Sequence, residues 1–162
     1  MMGNKILYGI AIICWMLVIF SFSGRNSVES TQDSRGLISN TVEVCANFAY
    51  KLGITKEKPS ESDITSIVRK LDHPIRKMAH GTVYFVLALL IMLALDTNTD
   101  NYWRNAGIAV LCCFIYAMTD EFHQTFIPGR SGEFKDCLID TSGAVMACCI
   151  YGIGVEMIRR HN

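Results

Sequence analysis

Neither sign of charge is in excess in this sequence. Fifteen Lys and Arg stand against fifteen Asp and Glu, for a formal net charge of zero. The basic surplus that tracks a phosphate backbone is missing, so nucleic acid is not expected as a partner. Charge of any kind is scarce, at 19% of residues against about a quarter in soluble domains. Cys-x-x-Cys spacing is absent, and seven cysteines make an odd number, which argues against a disulfide framework. Gly-x-Ser-x-Gly and His-Glu-x-x-His do not occur either, nor does any internal repeat or low-complexity segment. These absences leave no strong signature of a known catalytic class, and no cofactor is expected.

What is present is apolar and blocked. Mean hydropathy is +0.28, and the hydrophobic residues fall into long runs. The pattern predicts an all-α integral membrane protein: a four-transmembrane-helix bundle within one domain over 1–162, with spans near 6–22, 78–95, 103–119 and 137–155. Ser21-Phe22-Ser23 matches a small-x-small cleavage site poorly, so the first run reads as a retained helix. Cys14, Cys112, Cys113, Cys148 and Cys149 lie inside apolar runs, where cysteine acts as a small hydrophobe. Cys45 and Cys137 lie nearer the polar edges, and a bridge between them is the alternative.

The first connection is long, and a helical cap is expected over 31–72. Leu37, Ile38, Thr41, Val42, Cys45, Phe48, Ala49 and Leu52 recur at helical spacing, and Gly53 is placed to stop that helix. Ser60-x-x-Asp63 resembles a capping box for a second, short helix, with Ile64, Ile67, Val68 and Leu71 on one face. Pro74 is expected in the first turn of the second span.

The ionisable residues gather at the ends of the greasiest segments. Arg76, His80 and Tyr84 follow at i, i+4 and i+8, with Lys77 three before His80. Asp120 precedes His123 by three and Gln124 by four. Asp136, Asp140 and then Gly143 share a stripe of the last span, where a missing side chain lets a neighbour approach. Four spans put the start of the second, the end of the third and the start of the fourth at one membrane face. Arg76, Lys77, His80, Asp120, Glu121, His123, Arg130, Asp136 and Asp140 are therefore expected to be co-facial. The opposite face holds little beyond Lys5, Asp96, Asp100, Arg104 and the basic tail. A charge at membrane depth costs at least about 2.5 kcal/mol, so such groups either neutralise each other or line a wet cavity. Two histidines and a Pro-Gly-Arg turn fit the cavity better than plain neutralisation.

Together these residues resemble the VanZ-like family of small membrane proteins. The family pattern is an Arg-Lys-x-x-His with a Tyr four residues on, here Arg76, Lys77, His80 and Tyr84. A D-E-x-x-Q-type stretch follows, here Asp120, Glu121, His123 and Gln124. Then come a P-G-R turn (Pro128, Gly129, Arg130) and a last helix opening with Asp136, Asp140 and Gly143. Ser21-Phe22-Ser23, with Ser27 and Ser30 after it, is also similar to the family. Many members carry an acid just before the tyrosine, where this chain has Val83. The resemblance implies four helices and an association with glycopeptide resistance, notably to teicoplanin. It does not supply a reaction.

Three chemistries suit the cluster. In an enzyme acting on a lipid-linked envelope substrate, His80, Glu121, His123 and Asp120 are the catalytic candidates. Arg76, Lys77, Tyr84, Gln124, Arg130, Asp136 and Asp140 would bind that substrate, with Arg130 holding a phosphate in a fork. A divalent metal on His80, Glu121, His123 and Asp136 or Asp140 is a weaker alternative, because the carboxylates already supply partners for the histidines. A non-enzymatic membrane protein would bind a membrane lipid, a lipid-linked envelope precursor or a lipoglycopeptide in the same hollow, or shield it.

Orientation is contested by two arguments. Eleven Lys and Arg lie on the side of the first and third connections, and four on the other side. Counting alone puts the termini outside. The glycopeptide association implies a site facing the cell wall, which needs cytoplasmic termini, and that orientation is the one expected.

Overall fold

The computed structural model describes residues 2–25, 27–55, 57–58, 60–95 and 101–161, without the side chains of 2–4 and 27–30. Lys56, Asp96, Asp100 and Asn162 lie outside the described residues, as do the side chains of Ser27 and Ser30. Among the described residues there are five helices and no strand: α1 (Met2–Ser23), α2 (Ser27–Lys51), α3 (Glu61–Leu95), α4 (Tyr102–Gln124) and α5 (Phe134–His161). Helices α1, α3, α4 and α5 are long and apolar enough to cross a membrane. Each reaches beyond the apolar run that announced it.

The chain divides into two compact units. One comprises residues 1–25 and 79–162, the other residues 26–78. In the second unit, Ser60 and Asp63 form the expected capping box. The Asp63 amide donates to Ser60 Oγ and the Ser60 amide to Asp63 Oδ2, both at 3.2 Å. At the end of α2, Gly53 adopts φ +71°. The Gly53 amide donates to the Tyr50 carbonyl and the Ile54 amide to that of Ala49, each at 3.0 Å. This is a Schellman stop, and it needs glycine at the left-handed position. Ile38 and Val68 are the buried apolar side chains of this unit. Its polar hub is Asp72, which accepts from Ser34 Oγ at 2.7 Å and Arg35 Nε at 2.9 Å. Arg76 donates to Thr31 Oγ1 at 2.8 Å.

The expectation for Pro74 is corrected. The helix that starts after Ser60 is not short. It runs for 35 residues to Leu95, with Pro74 in its interior. An interior proline removes one rung of the ladder and costs about 3 kcal/mol. Standing against that cost is Asp72, two residues upstream, which the side chains of Ser34 and Arg35 hold in place.

The first unit has a core of small residues. Ala106, Ala109, Cys113 and Ala117 of α4 are buried, as are Cys137, Ala144, Ala147 and Cys148 of α5. Lipid tails give two helices no hydrophobic reason to associate, so close packing must do it, and small side chains permit it. Tyr84, Leu87, Ala88, Ile91 and Met92 bring α3 into the same core. Helix α1 contributes Ile19 and is pinned by two long-range bonds. Trp15 Nε1 donates to the Val83 carbonyl at 2.8 Å, and Tyr116 Oη donates to the Met16 carbonyl at 2.6 Å. Much of the rest of α1, from Ile6 to Phe22, exposes its apolar side chains, as a lipid-facing helix does. All seven cysteines are free thiols, so no Cys45–Cys137 bridge forms. Of the cysteines inside apolar runs, Cys113 and Cys148 are buried, whereas Cys14, Cys112 and Cys149 are exposed; Cys137, nearer a polar edge of the sequence pattern, is buried as well.

Candidate functional site

The site lies where α1 and α4 end and α5 begins. A short loop makes the passage from α4 to α5. The Arg130 amide donates to the Ile127 carbonyl at 3.1 Å, with Pro128 and Gly129 between them. Gly129 has φ +77°. Proline first and a positive-φ glycine second is the chemistry of a type II turn. Farther on, Gly132 passes directly over the C-terminal turn of α4. A Cβ there would strike the Glu121 carbonyl oxygen and lie 2.9 Å from Thr125 Cγ2. The Glu133 amide then donates to Glu121 Oε2 at 2.9 Å, which ties the loop to α4. Asp136 opens α5.

Asp120, Glu121 and Gln124 are buried on α4, and Asp140 on α5 is 1% exposed. Gln124 Nε2 bridges the two acids, donating to Asp120 Oδ2 at 3.2 Å and Glu121 Oε1 at 3.3 Å. Asp120 has His80 and His123 as charged neighbours, with the Ser23 hydroxyl beside it. Glu121 has Asp136, Asp120 and Arg130 around it. Asp120 and Asp140 flank Tyr84, which has no exposed surface at all. His123 also stacks edge-on against Phe20 of α1, with ring centroids 4.3 Å apart.

Two buried polar atoms here have no hydrogen-bond partner among the described residues, Tyr84 Oη and His123 Nδ1, while the Ser23 hydroxyl and Asp120 engage each other. Nearly all buried polar atoms in folded proteins are partnered. Each exception costs about 1–3 kcal/mol. Two such atoms, one from α3 and one from α4, are therefore a feature that the fold alone does not account for.

Within the first unit the structure thus brings together His80, Tyr84, Asp120, Glu121, His123, Gln124, Arg130, Asp136 and Asp140. Arg76 and Lys77 belong to the second unit, where Arg76 engages Thr31 and has Asp72 as a charged neighbour. Among the described residues, no three His, Cys, Asp or Glu side chains are arranged to hold a metal ion.

Three residues escape a reading of spacing alone. Ser23, singled out only through the family resemblance, gains its place at the site once α1 is seen to end beside Asp120. Asp72 could have been found as an acid four residues before Arg76. Gly81 is the third. A Cβ on Gly143 would collide with the Gly81 carbonyl oxygen and lie 2.8 Å from its carbon. The closeness expected at Gly143 is therefore an α3–α5 crossing through two glycines, one residue from His80 and three from Asp140.

A protein-family model described as VanZ/LLP1 matches residues 8–155. The chain belongs to the VanZ/LLP1 family. No curated protein and no solved structure matches it. Membership covers nearly the whole chain and agrees with the four apolar helices. This is a multi-pass membrane protein of a family linked to glycopeptide resistance. The VanZ/LLP1 residues named from the sequence at Tyr84, Asp120, Glu121, Gln124 and Asp140 all have buried side chains.

Proposed function

We propose that this VanZ/LLP1 protein uses the polar group at the ends of α1 and α4 as a pocket for the head of an amphiphilic envelope molecule. The ligand class is a membrane lipid or a lipid-linked envelope precursor. The reading rests on one observation: two buried polar atoms without a protein partner, Tyr84 Oη and His123 Nδ1, in a group that also holds Asp120 and Asp140. A ligand that offers hydroxyls or a phosphate would satisfy them and offset their desolvation. Arg130, next to Glu121, is the cation for an anionic head, because guanidinium presents a planar fork of donors.

A second reading, chemistry on the bound molecule, is favoured by two histidines, His80 and His123, close enough to Asp120 to act on its charge. His123 Nδ1, which has no hydrogen-bond partner among the described residues, would be the atom that accepts a proton from a bound hydroxyl. The test is teicoplanin susceptibility of a sensitive host expressing the full chain. Arg130→Gln and Asp120→Asn are expected to abolish protection while the protein remains in the membrane at normal level. Full protection from both variants would sink the pocket. His80→Asn and His123→Gln separate the two readings. Lost protection with retained lipid binding marks chemistry, and retained protection marks binding alone.

The same reading puts the site toward the cell wall, with cytoplasmic termini. Ser62 is exposed near the start of α3. In a cysteine-free background, Ser62→Cys is expected to react with a membrane-impermeant maleimide in intact cells. Reaction only after lysis reverses the orientation.

A further inference from the structure

A second concave site lies at the other end of the α4–α5 hairpin, away from the polar group. The two helices run antiparallel: Glu121 meets Glu133 at one end, and Tyr102 meets Cys148 at the other. From Asp140 to Arg159 is 19 residues of helix, or about 28 Å at 1.5 Å per residue. At this end a groove of about 730 Å³ runs between the start of α4 and the last turns of α5, within the usual range for small-molecule sites.

Its walls are built rather than incidental. Tyr102 lies over Gly152, where an added Cβ would come within 2.7 Å of the ring's Cζ and Oη. The Tyr102 hydroxyl donates to the Cys148 carbonyl at 2.8 Å, which fixes the ring. Trp103 packs edge-on against that ring, with centroids 5.1 Å apart, yet is 84% exposed. Ile153 and Met157 give the groove its apolar side, and Arg159 and Arg160 close its end. Glu156 pairs with Arg160 at 3.0 Å. Among the described residues, Arg159 makes no ion pair. The groove therefore carries one unopposed positive charge above an apolar trough, with tyrosine and tryptophan at headgroup depth.

We propose that this groove seats one anionic glycerophospholipid of the surrounding leaflet. Its phosphate lies on Arg159, its glycerol region against Trp103, and an acyl chain along Ile153 and Met157. Charge complementarity selects the ligand: a zwitterionic head would bring its own cation to a site already positive. Basic pockets between membrane helices bind anionic headgroups on the same grounds. The site is independent of the pocket at the far end and needs none of its residues.

The experiment is tryptophan quenching in bilayers containing the full-length protein. Phosphatidylglycerol and phosphatidylcholine with brominated acyl chains are compared at equal mole fraction. Subtracting the signal of Trp103→Phe isolates Trp103 from Trp15. Brominated phosphatidylglycerol is expected to associate about fivefold more strongly than phosphatidylcholine, the worth of one basic residue at the surface. Arg159→Gln should bring the ratio close to one, Arg159→Lys should keep it, and the double variant Glu156→Gln/Arg160→Gln should change it little because it removes an opposed pair and leaves the net charge as it was. Equal quenching by the two lipids in the unaltered protein overturns the proposal, as does a preference that survives Arg159→Gln. Absence of quenching by either lipid, with a concentration-dependent dimer, overturns it in favour of a second copy of the chain.

Discussion

Gly143→Ala is expected to lower the melting temperature of this protein sharply, although it adds a single methyl group. The ideal Cβ at that position runs into the Gly81 carbonyl oxygen. Backbone meets backbone there, so no flexible side chain can swing away, and α3 must shift from α5. Overpacking a tight core costs about 1–3 kcal/mol and occasionally more, and a backbone-to-backbone contact belongs at the upper end. Two other glycines supply the control. Gly9 on α1 and Gly107 on α4 have nothing within 4 Å of an added Cβ. Alanine at either is expected to stabilise by roughly 0.5–1 kcal/mol, since helical glycine is entropically costly. A thiol-reactive fluorophore reads all three variants in detergent, because Cys113, Cys137 and Cys148 are buried and react only on unfolding. If Gly143→Ala melts with Gly107→Ala, the two-glycine crossing does not hold α3 to α5. A crossing that does hold also positions the site, since His80 and Asp140 flank it.

The crossing shows where the sequence was legible and where it was not. Unbroken apolar runs announce spans because the bilayer leaves the backbone few alternatives to a helix. Ser60 with Asp63, and Gly53, announce helix ends because capping is local chemistry decided within four residues. Gly143 reads as a place of close approach, but its partner Gly81 does not, since pairing two glycines requires knowing which helices cross. Pro74 misleads for the same reason. The local rule places proline in a first turn, while a distant contact, Asp72 with Ser34 and Arg35, secures the turn before it. The acids and histidines of the site are conspicuous in an apolar chain, so most of the candidate residues can be named from the sequence. Ser23 is marked by the family resemblance but gets a role only when the end of α1 is set beside Asp120. Val83 stands where the resemblance to the VanZ-like family implies an acid. Its backbone carbonyl accepts the Trp15 indole hydrogen, a bond any residue there can make, so the departure does not loosen α1.

Tyr84→Phe is expected to raise stability and abolish function together. Tyr84 has no exposed surface, and its hydroxyl has no hydrogen-bond partner among the described residues. Phenylalanine keeps the ring in its slot and removes the unpaired oxygen, which should gain about 1–3 kcal/mol, less a small loss of packing. A gain of that size shows that the hydroxyl is held at a cost to the fold. If the pocket reading is right, the cost serves a ligand bound beside Asp120 and Asp140, and the phenylalanine variant should lose protection against teicoplanin. Tyr116 is the matched control. Its ring centroid is 6.1 Å from that of Tyr84, but its hydroxyl already donates to the Met16 carbonyl at 2.6 Å. Tyr116→Phe is expected to cost about 1 kcal/mol by loosening α1. The measurement is melting in detergent alongside drug susceptibility of the expressing host. Opposite signs of the two stability changes, with function lost at Tyr84, bear the pocket out. A Tyr84→Phe protein that is both destabilised and fully protective would place the hydroxyl among ordinary core contacts, and the pocket would lose its central polar atom.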